Sequence, residues 1–331
     1  MSTIVITGAT GLVGSNVAVA ALAEGHDVVC TRRPTSRTRH LSGLPITWRS
    51  ADLGDPDALR AAFTGAEAVI HCAALAAVIP RVTPQLVAAN VTGTQHVIEA
   101  CQAAGVDRLV HCSSTVAVGI SDHDGPCDED SPWNLAAHGL DDGYAITKHQ
   151  AEQLVLEAAR SGTIDAVVVN PTYMFGPYDQ RPSSGQMILE VSRGKAIAAT
   201  KGVNDFVDVR DVADGMLAAL DRGRTGERYI LSGQGMRYRE IFGVIAGIVG
   251  RKPPRIELGR RLLAPIGWVG DAMERATGRE QPITTMTLRW GACDRYRFTS
   301  AKAERELGYR ARPVVEGIRS AWAWFQSEGM T

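Results

Sequence analysis

Residues 3–14 read Thr3-Ile4-Val5-Ile6-Thr7-Gly8-Ala9-Thr10-Gly11-Leu12-Val13-Gly14, a short β-branched run that ends in three glycines with two residues between each and the next. Ile4-Val5-Ile6 has the composition of a strand covered on both faces, and Val13 to Leu22 continues with helix-compatible residues until Gly25. A strand therefore feeds a tight turn and then a helix. Gly8 lets the chain turn where a Cβ would clash, Gly11 lets backbone N–H groups approach a pyrophosphate, and Gly14 lets the helix pack closely on its strand. Thr10 lies inside the loop, and the free N–H groups of the helix start at Leu12 and Val13 bring the positive end of the helix dipole to the phosphates.

The rest of the composition sets bounds on what this turn serves. The chain has 331 residues, 45% hydrophobic and 21% charged, enough for one large or two moderate cores without covalent staples. A net charge of −1 gives no electrostatic reason to expect nucleic acid or an anionic membrane as partner. Cys30, Cys72, Cys101, Cys112, Cys127 and Cys293 are scattered without a C-x-x-C, and those in apolar runs (Cys30, Cys72, Cys112) read as buried small hydrophobes in a reducing compartment. The histidines show no metal-ligand spacing, so no metal is expected. The first strand starts by Thr3, with no leader-like segment before it, which points to a cytoplasmic protein.

Along the chain, strands alternate with helical patterns. Strand two, Asp27 to Thr31, runs into Arg32-Arg33-Pro34-Thr35-Ser36-Arg37. In a dinucleotide-binding sheet the residue closing strand two meets the adenosine ribose, where guanidinium groups and hydroxyls suit a 2′-phosphate and a carboxylate would repel it. NADPH is thus expected over NADH. Strand three (Ile46 to Ser50) precedes Asp52-Leu53, and strand four (Ala68 to Cys72) leaves through the small residues Ala73 and Ala74, where a cofactor can lie close to backbone. His71, at a strand end, is read as a structural hydrogen-bonding group.

One helix is expected from Thr83-Pro84 to Ala104, and strand five, Arg108 to Cys112, delivers Ser113-Ser114-Thr115 to its carboxyl end. Residues 116–143 read as a polar acidic loop, either a lid or disordered. A helix from Tyr144 to about Arg160 and strand six, Ile164 to Asn170, ended by Pro171, follow. Beyond lie an aromatic loop over Tyr173 to Tyr178, a helix over 183–193, a helix ending at Leu220, strand seven at Arg228 to Leu231 and four further helices. The pattern predicts an α/β doubly wound parallel sheet of about seven strands carrying a smaller C-terminal α+β lobe, with residues 1–171 plus 206–232 in the dinucleotide-binding domain and 172–205 plus 233–331 in the substrate lobe.

Tyr144 and Lys148 stand four apart on one helix, so their side chains leave the same face. Only five of the 35 basic residues are lysines, which makes the pairing more informative. A carbonyl accepting hydride develops negative charge on oxygen and needs a proton donor, and a tyrosine of ordinary pKa, about 10, is a sluggish one at neutral pH. An ammonium one turn away favours phenolate and is expected to lower that pKa. Ser114 or Thr115, at the end of strand five, would hydrogen-bond the same oxygen.

The glycine turn, Asp52-Leu53, Asn90-Val91, Ser113-Ser114, Tyr144/Lys148 and Asn170-Pro171 together resemble the extended short-chain dehydrogenase/reductases, the NAD-dependent epimerase/dehydratase superfamily, over essentially the whole chain. Arg32-Arg33-Pro34, Val169-Asn170-Pro171-Thr172 with Gly176-Pro177, and Glu306-Leu307-Gly308-Tyr309 are most similar to the dihydroflavonol-reductase-like branch. The resemblance implies a Rossmann-type fold and a catalytic set of Ser114, Tyr144 and Lys148, the second serine matching the family position. It further implies a cofactor site of Gly8, Thr10, Gly11, Leu12, Val13, Arg32, Asp52, Leu53, Ala73, Ala74, Tyr144, Lys148 and Pro171, with the Asp52 carboxylate on the adenine. The expected activity is NADPH-dependent reduction of a ketone or aldehyde of a small to medium organic substrate, by a monomer or homodimer. The alternative is a nucleotide-sugar epimerase or dehydratase holding NAD tightly, although Asn170 stands where such epimerases often carry arginine.

Overall fold

A computed structural model of the chain describes residues 2–122, 124–278, 281 and 283–331. Seven parallel strands form the central sheet: β1 (Thr3–Thr7), β2 (Asp27–Arg32), β3 (Thr47–Ser50), β4 (Ala68–His71), β5 (Arg108–Cys112), β6 (Ala166–Pro171) and, later in the chain, β10 (Arg228–Leu231). They lie in the order β10-β6-β5-β4-β1-β2-β3. Strand β1 pairs with both β2 and β4, so the connections leave it in opposite directions and open a crevice at its carboxyl end, where the glycine turn sits.

Period-two alternation assigns the two faces of the sheet. Ile4, Ile6, Ile70, Val110, Val167 and Val169 face one side and pack against Val17, Ala18 and Ala21 of α1 (Leu12–Ala23). The same layer holds Val212 and Met216, which lie in a later helix, Val209–Arg222. Val5, Val69, Leu109 and Val168 point to the other side. There they meet Leu59 and Phe63 of α2 (Pro56–Phe63) and, further along the chain, residues of the helices Gly93–Ala104 and Gly143–Arg160. Helix α2 starts as its sequence dictates, with Pro56 in the first turn and the Asp55 carboxylate accepting from Ala58 N.

The helix expected over 84–104 is not uniform. It runs as α3 (Pro84–Leu86), a wider π turn over Val87–Thr92 and α4 (Gly93–Ala104). The wide turn carries Asn90, which is buried and bonds to groups outside the helix, a partnership that local pattern does not reveal. Residues 116–143 are also more structured than a polar loop: among those described, Val118, Ile120, Cys127, Leu135 and Leu140 are buried in one cluster with Tyr296 and Phe298. Helix α5 (Gly143–Arg160) follows, its first turn capped by Asp142.

Beyond β6 the aromatic stretch read as a loop contains a strand, β7 (Tyr173–Phe175). After α6 (Gln186–Ser192) come β8 (Ala198–Thr200) and β9 (Val203–Asp208), and β7 pairs with β9 so that Tyr173, Phe175 and Phe206 pack ring against ring. Helix α7 (Val209–Arg222) returns the chain to the main sheet at β10. Strand β11 (Gln234–Arg237) pairs with β9, α8 (Tyr238–Val249) follows, and β12 (Ile256–Leu258) pairs with β8. Helices α9 (Arg260–Thr277), α10 (Thr285–Gly291), α11 (Ala301–Leu307) and α12 (Val314–Ser327) complete the chain. Among the described residues no helix is long and apolar enough to cross a membrane.

Candidate active site

The carboxyl ends of β1 to β6 bring the expected site residues to one edge of the sheet. Gly8 adopts φ +72°, and a Cβ there would lie 2.6 Å from Ala73 N, so only glycine lets the turn rest on the backbone leaving β4. At Gly14 a Cβ would lie 2.4 Å from Gly8 O. At Gly11 the nearest atom would be 3.5 Å away, an ordinary contact, and Gly11 is exposed. Gly8 and Gly14 are thus filled in by the protein itself, whereas Gly11 faces open space at the helix start.

No side chain caps that helix start. The N–H groups of Leu12 and Val13 are therefore available to an anion, and Thr10 lies beside them, partly exposed. This open, uncapped cradle fits a dinucleotide pyrophosphate.

Arg32 closes β2, exposed, with its guanidinium 5.9 Å from the centre of the Trp48 ring. Asp52 is exposed, and its Oδ1 accepts from Gly54 N at 2.8 Å, which holds its own turn. Leu53 packs beside Gly93, and its carbonyl is 2.7 Å from His96 Nδ1. Ala73 N donates to Thr7 Oγ1 at 3.3 Å, Ala74 is exposed, and Pro171 is buried at the end of β6. Cys72, expected to be buried, is partly exposed just past β4.

His71 is a structural group: its ring nitrogens lie 2.7 Å from Thr7 Oγ1 and 3.2 Å from Thr94 Oγ1. Burial, with the Lys148 charge second, pushes its pKa down to about 3, so the ring is neutral.

Helix α5 presents Tyr144 and Lys148 to the end of β5. The Ser114 side chain lies close enough to the Tyr144 phenol to favour its ionised form. Lys148 is buried, and its Nζ donates to the Cys112 carbonyl at 2.8 Å. The alternative hydroxyl, Thr115 Oγ1, is engaged with Tyr296 OH at 3.0 Å, which leaves the phenol to Ser114.

The electrostatics differ from expectation in one respect. Burial foremost, and the nearby Cys112 and Asp142, raise the Tyr144 pKa above that of a free phenol, while the neighbouring Ser114 opposes them. The lowering expected from Lys148 does not prevail, since burial is the largest influence on the phenol and also pushes the Lys148 ammonium, which donates to the Cys112 carbonyl, down.

Sequence reading missed the supports of this set. Asn90 Nδ2 donates to Leu75 O at 3.1 Å and Thr147 Oγ1 at 3.1 Å while its Oδ1 accepts from Leu75 N at 2.8 Å, tying the segment after β4 to α5. Trp290 Nε1 donates to Asp142 Oδ2 at 2.6 Å, which joins α10 to the carboxylate that caps α5. Glu152 is fully buried one turn beyond Lys148. A carboxylate at the same helical phase as Tyr144 and Lys148 was the available signal.

A doubly wound parallel sheet with a glycine cradle at its switch point defines a class of dinucleotide-binding proteins. The NAD dependent epimerase/dehydratase family matches residues 4–232, and the chain belongs to that family. It is an NAD(P)-dependent enzyme of the extended short-chain dehydrogenase/reductase type. It is 32% identical to a putative dihydroflavonol 4-reductase of Synechocystis sp. over 98% of this chain and 94% of that one. It is 34% identical to sterol demethylase protein B of Methylococcus capsulatus, over 99% of each chain. Among solved structures it resembles gox2253, with a TM-score of 0.85 and 35% identity over 100% of both chains. It also resembles a nucleoside-diphosphate-sugar epimerase from Pseudomonas aeruginosa, with a TM-score of 0.83 and 25% identity over 99% of each.

Proposed function

We propose that this protein reduces a ketone or aldehyde of a small to medium organic substrate to the alcohol, with NADPH as cofactor. The observation that carries the reading is the convergence of Ser114, Tyr144 and buried Lys148 at the carboxyl end of β5, on the same sheet edge as the open glycine turn. Arg32 at the end of β2 supports the phosphorylated cofactor. The putative dihydroflavonol 4-reductase relative supports the reductive direction.

A dinucleotide held at the Gly8–Gly14 turn would supply the hydride that the carbonyl carbon takes up. Tyr144 donates its hydroxyl proton to the oxygen on which charge develops, so that C=O, hydride and proton give CH–OH. With its pKa above that of a free phenol, Tyr144 is protonated at neutral pH but a weaker acid than a free tyrosine, so its proton moves only as negative charge builds on the carbonyl oxygen. Ser114 donates a hydrogen bond to the same oxygen and fixes its position. Lys148, anchored on the Cys112 carbonyl, places a positive charge one turn from the phenol and offers a donor to the nicotinamide ribose.

A panel of ketones and aldehydes, followed by loss of reduced-nicotinamide absorbance, tests this. NADPH oxidation with at least one of them is expected, and Tyr144→Phe is expected to lower kcat about a hundredfold or more. The tightly bound NAD alternative, an epimerase or dehydratase, makes the opposite forecast. It requires cofactor that copurifies with the protein and turnover of a nucleotide sugar without net NADPH consumption.

A further inference from the structure

Three elements meet behind Ser114, Tyr144 and Lys148 through one buried carboxylate. Glu152 on α5 accepts from Asn170 Nδ2 on β6 at 2.6 Å through Oε2 and from Arg228 Nη1 on β10 at 3.0 Å through Oε1. Asn170 Nδ2 also donates to the Ser114 carbonyl at 3.0 Å, so the carboxylate fixes the amide that holds the backbone of Ser114. Arg228 in turn clasps residues 116–143, with Nε donating to Glu129 O at 2.8 Å and Nη2 to Ser131 O at 3.2 Å. Both Asn170 and Glu152 are fully buried, so these bonds face little competition from water.

We propose that Glu152, with Asn170 and Arg228, is a positioning set that holds Ser114 in register with Tyr144 and sets a negative charge one helical turn behind Lys148. The proposal rests on the reductase reading above and extends it to residues that touch neither substrate nor cofactor. Its electrostatic half follows from what surrounds Lys148. Cys112 and His111 face it from β5, His71 and Cys72 from the end of β4, and Glu152 from its own helix. Burial pushes the ammonium toward neutrality, and both imidazoles are neutral. Cys112 and then Glu152 oppose that loss, and the Glu152 carboxylate pairs with Arg228 at 3.0 Å.

The test compares three folded proteins by pH profile and kinetics. Glu152→Gln removes the charge, and the alkaline limb of kcat/KM is expected to move down by about one pH unit, with kcat about tenfold lower and carbonyl KM within twofold of the original. Glu152→Gln/Arg228→Gln pairs two neutral amides. It is expected to recover thermal stability without recovering the limb or kcat, and it carries the same test should the single variant fold poorly. Glu152→Asp keeps the charge and is expected to leave the limb in place. A wild-type limb and kcat in folded Glu152→Gln, or their return together with stability in the double variant, would reduce the set to a structural brace. If Tyr144→Phe itself retains full activity, the reductase reading fails instead, and the two failures are distinct.

Discussion

Three glycine-to-alanine substitutions in one turn should fail in different ways, because the structure gives each added methyl a different neighbour. At Gly14 the methyl would sit 2.4 Å from Gly8 O and 2.9 Å from Ala9 Cα, both on backbone that has nowhere to move. Overpacking of that kind costs about 1–3 kcal/mol. At Gly8 the clash with Ala73 N, at 2.6 Å, adds to a left-handed φ of +72°, which costs a further ~1–2 kcal/mol for a residue with a Cβ. Gly11 has an extended backbone, φ −103° and ψ 172°, and only a 3.5 Å contact. There the slightly poorer helix cap and the reduced entropy of the unfolded chain nearly cancel, to within about 0.5 kcal/mol. Urea unfolding should therefore show Gly11→Ala as stable as the parent, with Gly14→Ala and Gly8→Ala progressively weaker. Fluorescence titration with NADPH should show the reverse emphasis: Gly11→Ala folds yet binds at least tenfold more weakly, because its methyl occupies the space left for the pyrophosphate. Undiminished NADPH affinity in Gly11→Ala would remove the phosphates from this turn and sink the reasoning.

His71 makes stability depend on pH in a calculable direction. Its folded pKa is depressed to about 3, so the unfolded chain takes a proton below about 6.5 that the folded chain refuses, and stability is lost as pH falls from 6.5 toward 3. Between pH 7 and pH 5 this amounts to about 2 kcal/mol, and His71→Asn should remove that much of the measured slope. Arg32→Ala should weaken NADPH about tenfold and leave NADH within twofold, as measured by paired titrations, because an exposed guanidinium on a phosphate contributes about 1.4 kcal/mol. Asn90→Ala removes two part-buried bonds to the Leu75 backbone and a buried one to Thr147, and should lower the unfolding free energy by about 1–3 kcal/mol in urea.

The sheet was legible because its information is local. Ile4-Val5-Ile6 and Val167-Val168-Val169 each carry a two-residue alternation that decides which face a side chain takes, and the glycine spacing marks the switch point directly. The small strands β7, β9 and β11 were not legible, since Tyr173, Phe175 and Phe206 form a strand pair only by finding one another across about thirty residues, and an aromatic cluster in sequence reads equally well as a loop. The π turn at Asn90 was hidden for the same reason: its partners, Leu75 and Thr147, lie on other elements.

The candidate site divides along the same line. Tyr144 and Lys148 could be paired from spacing because one helix supplies both, and Ser114 from its place at a strand end. Their electrostatics could not be read from that spacing. An ammonium one turn from a phenol should lower its pKa, but this argument assumes that the charge faces the phenol through solvent-like surroundings. Lys148 spends its bond on Cys112 O, and burial acts on Tyr144 and Lys148 together, so desolvation outweighs a pairwise attraction that sequence can suggest. What sets the balance at Lys148 includes Glu152, itself satisfied by Asn170 and Arg228 from two further strands. An i, i+4 motif therefore specifies which groups meet, whereas burial and the Glu152 carboxylate, itself held by residues 18 and 76 positions beyond it, bear on their protonation.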